Sequence, residues 1–144
     1  MLKIYLDNCC YNRPFDDQSQ LKIYIETLAK LHIQEQIRQG VYKLVWSYVL
    51  DYENSNNPYV YKREAITPWR NIASEIIRME NDEIIRLAES IKAKGIKSFD
   101  ALHVACAFYT KCDYFLTTDR KLSNLQFTGI KIVNPVSFIH EMEG

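Results

Sequence analysis

The chain is short of everything that interrupts or cross-links a fold: its 144 residues include four glycines, four prolines and four cysteines. So few chain breakers leave regular elements undisturbed and argue against disorder. Cys9, Cys10, Cys106 and Cys112 contain no C-x-x-C spacing and no adjacent Cys/His couple, which excludes the common zinc patterns. They read as free thiols, with the neighbours Cys9 and Cys10 as small packing residues. Net charge is also missing, since eighteen basic residues offset eighteen acidic ones. That excludes the broad positive field of a strongly basic nucleic-acid binder. Local patches remain at Arg13, Lys62-Arg63, Arg70, Lys92-Lys94-Lys97 and Arg120-Lys121, and phosphate contact needs only a patch. No apolar run approaches the roughly 18 to 20 residues that cross a bilayer. Met1 to Leu6 is far shorter than a signal-peptide core, and Asp7 closes it. The expectation is a cytoplasmic protein with no membrane contact.

What is present is an ordinary globular balance, 47% hydrophobic and 25% charged, in a chain long enough for one proper core. Residues 1–144 are expected to form one domain. Lys3 to Leu6 is β-prone and ends in Asp7, followed by a polar stretch from Asn8 to Asp17 that reads as irregular. From Gln18 to Gln39, Leu21, Ile25, Leu28 and Leu31 recur at helical spacing, and Gly40 supplies a stop. A second β-prone run, Val41 to Trp46, precedes Ser47, a suitable N-cap for a helix carrying Leu50, Asp51, Tyr52 and Glu53. The aromatic, charged stretch up to Arg70 reads as helical with weak periodicity. Ile84, Leu87, Ala88 and Ile91 mark another amphipathic helix, ending near Gly95.

Ser98 can cap the next helix, Phe99 to Thr110, which is apolar on nearly every side and therefore central. Its one acid, Asp100, stands out. Tyr114 to Thr118 is a third strand ending in Asp119, and Ile130 to Val133 a fourth before Pro135 opens a terminal helix. Strands alternating with helices specify an α/β, three-layer arrangement with a central, mainly parallel sheet of four to five strands.

In such sheets the functional crevice lies beyond the carboxyl ends of the strands. Asp7 and Asp119 each follow a strand, while Glu53 and Asp100 sit early in helices at the same edge. Four gathered carboxylates repel one another unless a cation joins them, and an all-oxygen set suits Mg²⁺ or Mn²⁺. Asp51 and Glu53 are alternatives, because residues two apart on a helix point in nearly opposite directions; the longer side chain of Glu53, able to extend from the helix to the strand ends, favours it. His103 lies on the same side of its helix as Asp100, as a packed histidine or one that orients a carboxylate. Asn8, Arg13, Asp16 and Asp17 are further candidates near phosphate or metal, with turn chemistry as the plain alternative. Tyr59, Tyr61 and Trp69 are candidates for base stacking, or for core.

The stretches Tyr5-Leu6-Asp7-Asn8, Ser47-x5-Glu53, Phe99-Asp100-Ala101-Leu102-His103-Val104-Ala105 and Phe115-Leu116-Thr117-Thr118-Asp119 together resemble the four motifs of PIN domains, in the family's order. The resemblance implies catalytic, metal-holding roles for Asp7, Glu53, Asp100 and Asp119. It implies supporting roles for Ser47 and for Thr117 or Thr118. Solitary chains of this kind resemble VapC-type toxins, which implies an endoribonuclease acting on RNA, a small antitoxin partner and a homodimer. Two other readings stay open. An aspartyl phosphotransferase of the haloacid dehalogenase kind would use Asp7 as nucleophile with Ser47 and Asp119, although Cys9 stands where its second aspartate belongs. A PIN-like binding module without catalysis is the non-enzyme alternative.

Overall fold

Ile4, Tyr5 and Leu6 are completely buried, so the first strand, β1 (Lys3–Leu6), has no solvent face and reads as a continuous apolar run. It forms the centre of a sheet completed by β2 (Lys43–Ser47), β3 (Glu75–Ile77), β4 (Tyr114–Leu116) and β5 (Lys131–Val133). The computed structural model describes residues 1–144. Strand order is β3-β2-β1-β4-β5, and every pairing is parallel. Tyr5 is in register with Val45 on one side and Phe115 on the other. The chain runs outward from β1 through β2 to β3, then returns to β4 beside β1. That reversal opens a crevice at the carboxyl ends of β1 and β4.

Helices flank this sheet, with α2 (Leu21–Arg38) packed on α9 (Pro135–Glu143), and α6 (Asp82–Lys92) on α7 (Ser98–Tyr109). α6 begins at Asn81, whose side chain accepts from Ile84 N at 2.9 Å, and stops where Gly95 takes φ +88°, a conformation costly for any other residue. α7 is as central as its composition requires: Ala101, His103, Val104, Ala105, Cys106 and Ala107 are all buried.

Five features of the structure either refine or depart from the sequence reading. The stretch expected to be irregular holds α1 (Asn8–Asn12) and a 3-10 turn, Arg13–Phe15, because Asp7 caps Asn8 N at 2.8 Å. The fifth strand, β3, is only three residues long and carries no readable period. The aromatic stretch divides into α4 (Val60–Ile66) and α5 (Pro68–Ile72), since Pro68 cannot donate within a continuous helix. α7 starts at Ser98 itself, with Lys97 in the cap position and no side-chain cap bond.

The fifth difference concerns α2. Its apolar stripe faces outward, with Leu21 72%, Ile25 41%, Leu28 49% and Leu31 48% exposed. The inward side carries Ala29, Ile33 and Ile37 together with the polar residues Glu26, Thr27, Lys30 and Gln34. Periodicity locates an apolar face but does not say what covers it.

Candidate functional site: an acidic crevice at the strand ends

Asp7 leaves the end of β1 and is 4% exposed. Its Oδ1 accepts from Asn8 N and its Oδ2 from Thr117 Oγ1, both at 2.8 Å. Thr117 is wholly buried just past β4, and its hydroxyl also accepts from Asp119 N at 3.0 Å. One threonine therefore fixes two aspartates that lie far apart in the sequence. Asp119 is exposed and caps α8 (Arg120–Ser123) through Lys121 N at 2.9 Å.

Glu53 comes from α3 (Tyr48–Ser55), which starts directly at the end of β2 under the Ser47 cap. Its Oε2 accepts from Asn8 Nδ2 at 3.3 Å, and its Oε1 is hydrogen-bonded to His103 Nε2. His103, buried on α7, also has Nε2 at 3.9 Å from Asp7 Oδ1. Behind it, Tyr5 Oη lies 2.6 Å from His103 Nδ1 and 2.6 Å from Ser47 Oγ. Burial opposes a charged imidazole here, but the hydrogen bond to Glu53 and the fields of Asp7, Glu53 and Asp100 outweigh it and raise the His103 pKa. Asp100, in the first turn of α7, is half-buried. Burial, then the charges of Asp7 and Asp119, push its carboxyl above the usual range, partly offset by His103.

These residues line one cavity of ≈ 320 Å³ whose walls are Asp7, Asn8, Cys9, Asn12, Asp16, Glu53, Asp100 and Asp119. Five carboxylates thus face a common space that no lysine or arginine enters. No three of the Asp, Glu, His and Cys side chains converge into a finished coordination shell. The donor set nevertheless fits Mg²⁺ or Mn²⁺, ions that take one or two carboxylates and fill their other positions with water or substrate oxygens. The repulsion that raises the Asp100 pKa is what a cation would relieve.

Of the residues singled out from sequence, the cavity brings together Asp7, Asn8, Glu53, Asp100, Asp119 and Asp16. Ser47, Thr117 and His103 stand behind it as supports. Thr118 bonds through its backbone to Cys9 Sγ at 3.4 Å. Arg13 is held elsewhere, paired with Glu26 at 2.8 Å and Asp16 at 2.9 Å. Asp17 closes an exposed turn with Ser19. Asp51 turns to the other side of α3, accepting from Trp46 Nε1 at 2.7 Å and pairing with Arg70 at 3.1 Å. Trp69 is 5% exposed and lies outside the acidic cavity, whereas Tyr59 and Tyr61 are exposed and close to each other.

Sequence reasoning missed Tyr5, Cys9 and Asn12. Asn12 follows Asn8 by one helical turn, a signal that was hidden because α1 was read as a loop. Tyr52 and Phe99, neighbours of Glu53 and Asp100, stack with ring centroids 5.4 Å apart while remaining exposed.

VapBC2 from Rickettsia felis, solved bound to a DNA fragment from its promoter, is similar in fold: TM-score 0.55 and 13% identity over 92% of this chain and 98% of that one. No curated protein sequence matches the chain. The PIN domain family model matches residues 4–128. That span takes in all four acids read from the sequence as well as the strands that carry them to the crevice, and the chain belongs to the PIN domain family.

Proposed function

We propose that the protein is a divalent-metal-dependent endoribonuclease that hydrolyses RNA phosphodiester bonds. The observation that carries this reading is the lining of the ≈ 320 Å³ cavity, five carboxylates of which only Asp16 is paired with an arginine, Arg13, from outside the cavity. Asp7, Glu53, Asp100 and Asp119 would hold Mg²⁺ or Mn²⁺ there. When bound, the ion supplies Lewis-acid polarisation of the phosphoryl group and neutralises developing charge. Thr117 and Asn8 keep Asp7 in one rotamer, and His103 and Asn8 do the same for Glu53. Such preorganisation matters because small displacements of catalytic groups cost large factors in rate. Asp100, whose carboxyl is held above the usual range by burial and by the neighbouring acids, would be relieved by a neutralising cation. Tyr52 and Phe99 offer exposed rings beside the crevice for an unpaired base.

The same reading makes the chain the cytoplasmic toxin of a toxin–antitoxin pair, working as a homodimer with a small antitoxin. Its support is the fold similarity to VapBC2 and the outward apolar stripe of α2, a kind of surface that marks protein partners. No helix is long and apolar enough to cross a membrane.

The test is cleavage of a single-stranded RNA by purified protein with Mg²⁺ or Mn²⁺, and again in excess EDTA, with Mn²⁺ binding followed by calorimetry. Cleavage should require the ion. Undiminished cleavage in EDTA overturns the mechanism, and absence of carboxylate-dependent Mn²⁺ binding points instead to a non-catalytic PIN module. Where a small protein is encoded beside the gene, its coexpression should silence cleavage and yield a stoichiometric complex.

A further inference from the structure

α2 carries two buried polar side chains one helical turn apart, a lysine without a carboxylate and a glutamine whose amide nitrogen has no partner. Lys30 is 5% exposed, makes no ion pair with any carboxylate, and its Nζ lies 5.9 Å from the centre of the Tyr11 ring. Gln34 is 3% exposed and its Nε2 is buried without a hydrogen bond. A buried amide nitrogen left in this state is costly, and native folds retain few of them. Burial, with Arg38 nearby, pulls the Lys30 pKa down to about 8 although Cys10 opposes the shift.

Both side chains line a cavity of ≈ 240 Å³ between α2, the 3-10 turn and α4–α5, together with Phe15, Arg38, Ile66 and Trp69. Its chemistry is the reverse of the acidic crevice: one wall donates hydrogen bonds and positive charge, the others are flat and apolar. Arg38, more than half exposed, lies 4.7 Å over the Trp69 ring and adds a second cation at the edge. No carboxylate contributes to the lining. A phosphate would find the charge but leave the apolar walls uncovered, and a neutral aromatic would leave Lys30 and Gln34 unpaired.

We propose that this cavity binds a small carboxylate carried on a planar apolar body, with the carboxylate on Lys30 Nζ and the Gln34 amide and the body against Phe15, Ile66 and Trp69. Its volume fits a benzoate-sized group and lies below the usual range for nucleotide-sized ligands. The site does not depend on the nuclease reading, because none of its lining residues faces the acidic cavity.

The probe is benzoate, titrated by calorimetry and by amide and indole NMR shifts, with benzamide and inorganic phosphate as controls. Saturable binding is expected, with shifts centred on Trp69 and α2. Benzamide and the Lys30→Met variant should each bind about tenfold more weakly or worse, the scale of losing a hydrogen bond to a charged group. Gln34→Leu should weaken benzoate severalfold, and it keeps the test decisive if Lys30→Met does not fold. N-acetylphenylalanine separates two sources of the same chemistry: binding tighter than benzoate assigns the site to a chain terminus, weaker binding to a free arene carboxylate. Absence of saturation, equal binding of benzamide, phosphate stronger than benzoate, or a foldable variant that binds as wild type would overturn the proposal.

Discussion

Tyr5 and His103, from the central strand and the central helix, share a buried hydrogen bond of 2.6 Å, and His103 passes the connection on to Glu53. Since a carboxylate only accepts, His103 Nε2 must carry the proton. Neutral histidine then requires Tyr5 to donate to Nδ1, while Ser47 donates to Tyr5. With His103 neutral, the acid at the end sets the direction of each bond in the row, and protonation of His103 would reverse the two behind it.

Tyr5→Phe removes the middle of that row and leaves Ser47 and His103 without it. We expect a loss of about 1–3 kcal/mol in folding stability by denaturant melts, the scale of an unsatisfied buried polar group. RNA cleavage should fall as Glu53 loses its fixed orientation, with kcat affected more than KM. An unchanged rate in a folded Tyr5→Phe protein would show that the row is structural only.

Asp100→Asn should abolish metal-dependent cleavage while raising the melting temperature of the metal-free protein at neutral pH. The sign follows from linkage. The folded-state pKa of Asp100 is raised, so the folded protein holds its proton more strongly and loses stability as pH rises through that range. The advantage of the asparagine should therefore shrink as pH falls and the wild-type carboxyl protonates. A variant that is less stable than wild type at neutral pH would identify Asp100 as a helix-terminal stabiliser instead.

Glu53→Gln and Asp51→Asn separate the two faces of α3. Glu53→Gln is expected to weaken Mn²⁺ binding and suppress cleavage. Asp51→Asn should leave both intact and cost roughly 0–1 kcal/mol, because its pair with Arg70 is partly exposed. Loss of cleavage in Asp51→Asn with retention in Glu53→Gln would contradict the placement of Glu53 in the crevice.

Thr117→Val and Thr117→Ser form a matched pair at a wholly buried position. Valine keeps the shape but removes the donor to Asp7 and the acceptor for Asp119 N, with an expected cost of about 1–3 kcal/mol and a marked drop in cleavage. Serine preserves the hydroxyl and should restore most of the activity. Equal behaviour of the two variants would mean that the hydroxyl does not position the aspartates.

The sheet and the acids were legible for one physical reason: β1, β2 and β4 each end at the crevice, so a strand followed by a chemically reactive residue identifies both. Asp7 and Asp119 follow that rule, and Glu53 follows it through Ser47. β3 was not legible, because three residues at a sheet edge need no pattern of their own. Nor was the outward face of α2, whose leucines satisfy helical spacing whichever side they turn. Tyr5 escaped notice because a tyrosine in a buried strand looks like core until its hydroxyl is seen between Ser47 and His103. Arg13 looked like a phosphate contact because sequence shows a cation near a loop but not the Glu26 that engages it.

The strand order carries a consequence for synthesis. The strand that delivers Asp7 pairs with β4, so Asp7 and Asp119 meet only after the long stretch of chain between them has been made. Closing so long a loop is slow compared with forming helices. A nascent chain therefore carries Asp7 and Asp119 apart until β4 docks beside β1. The crevice is thus a product of long-range strand pairing and belongs to no single segment of the chain.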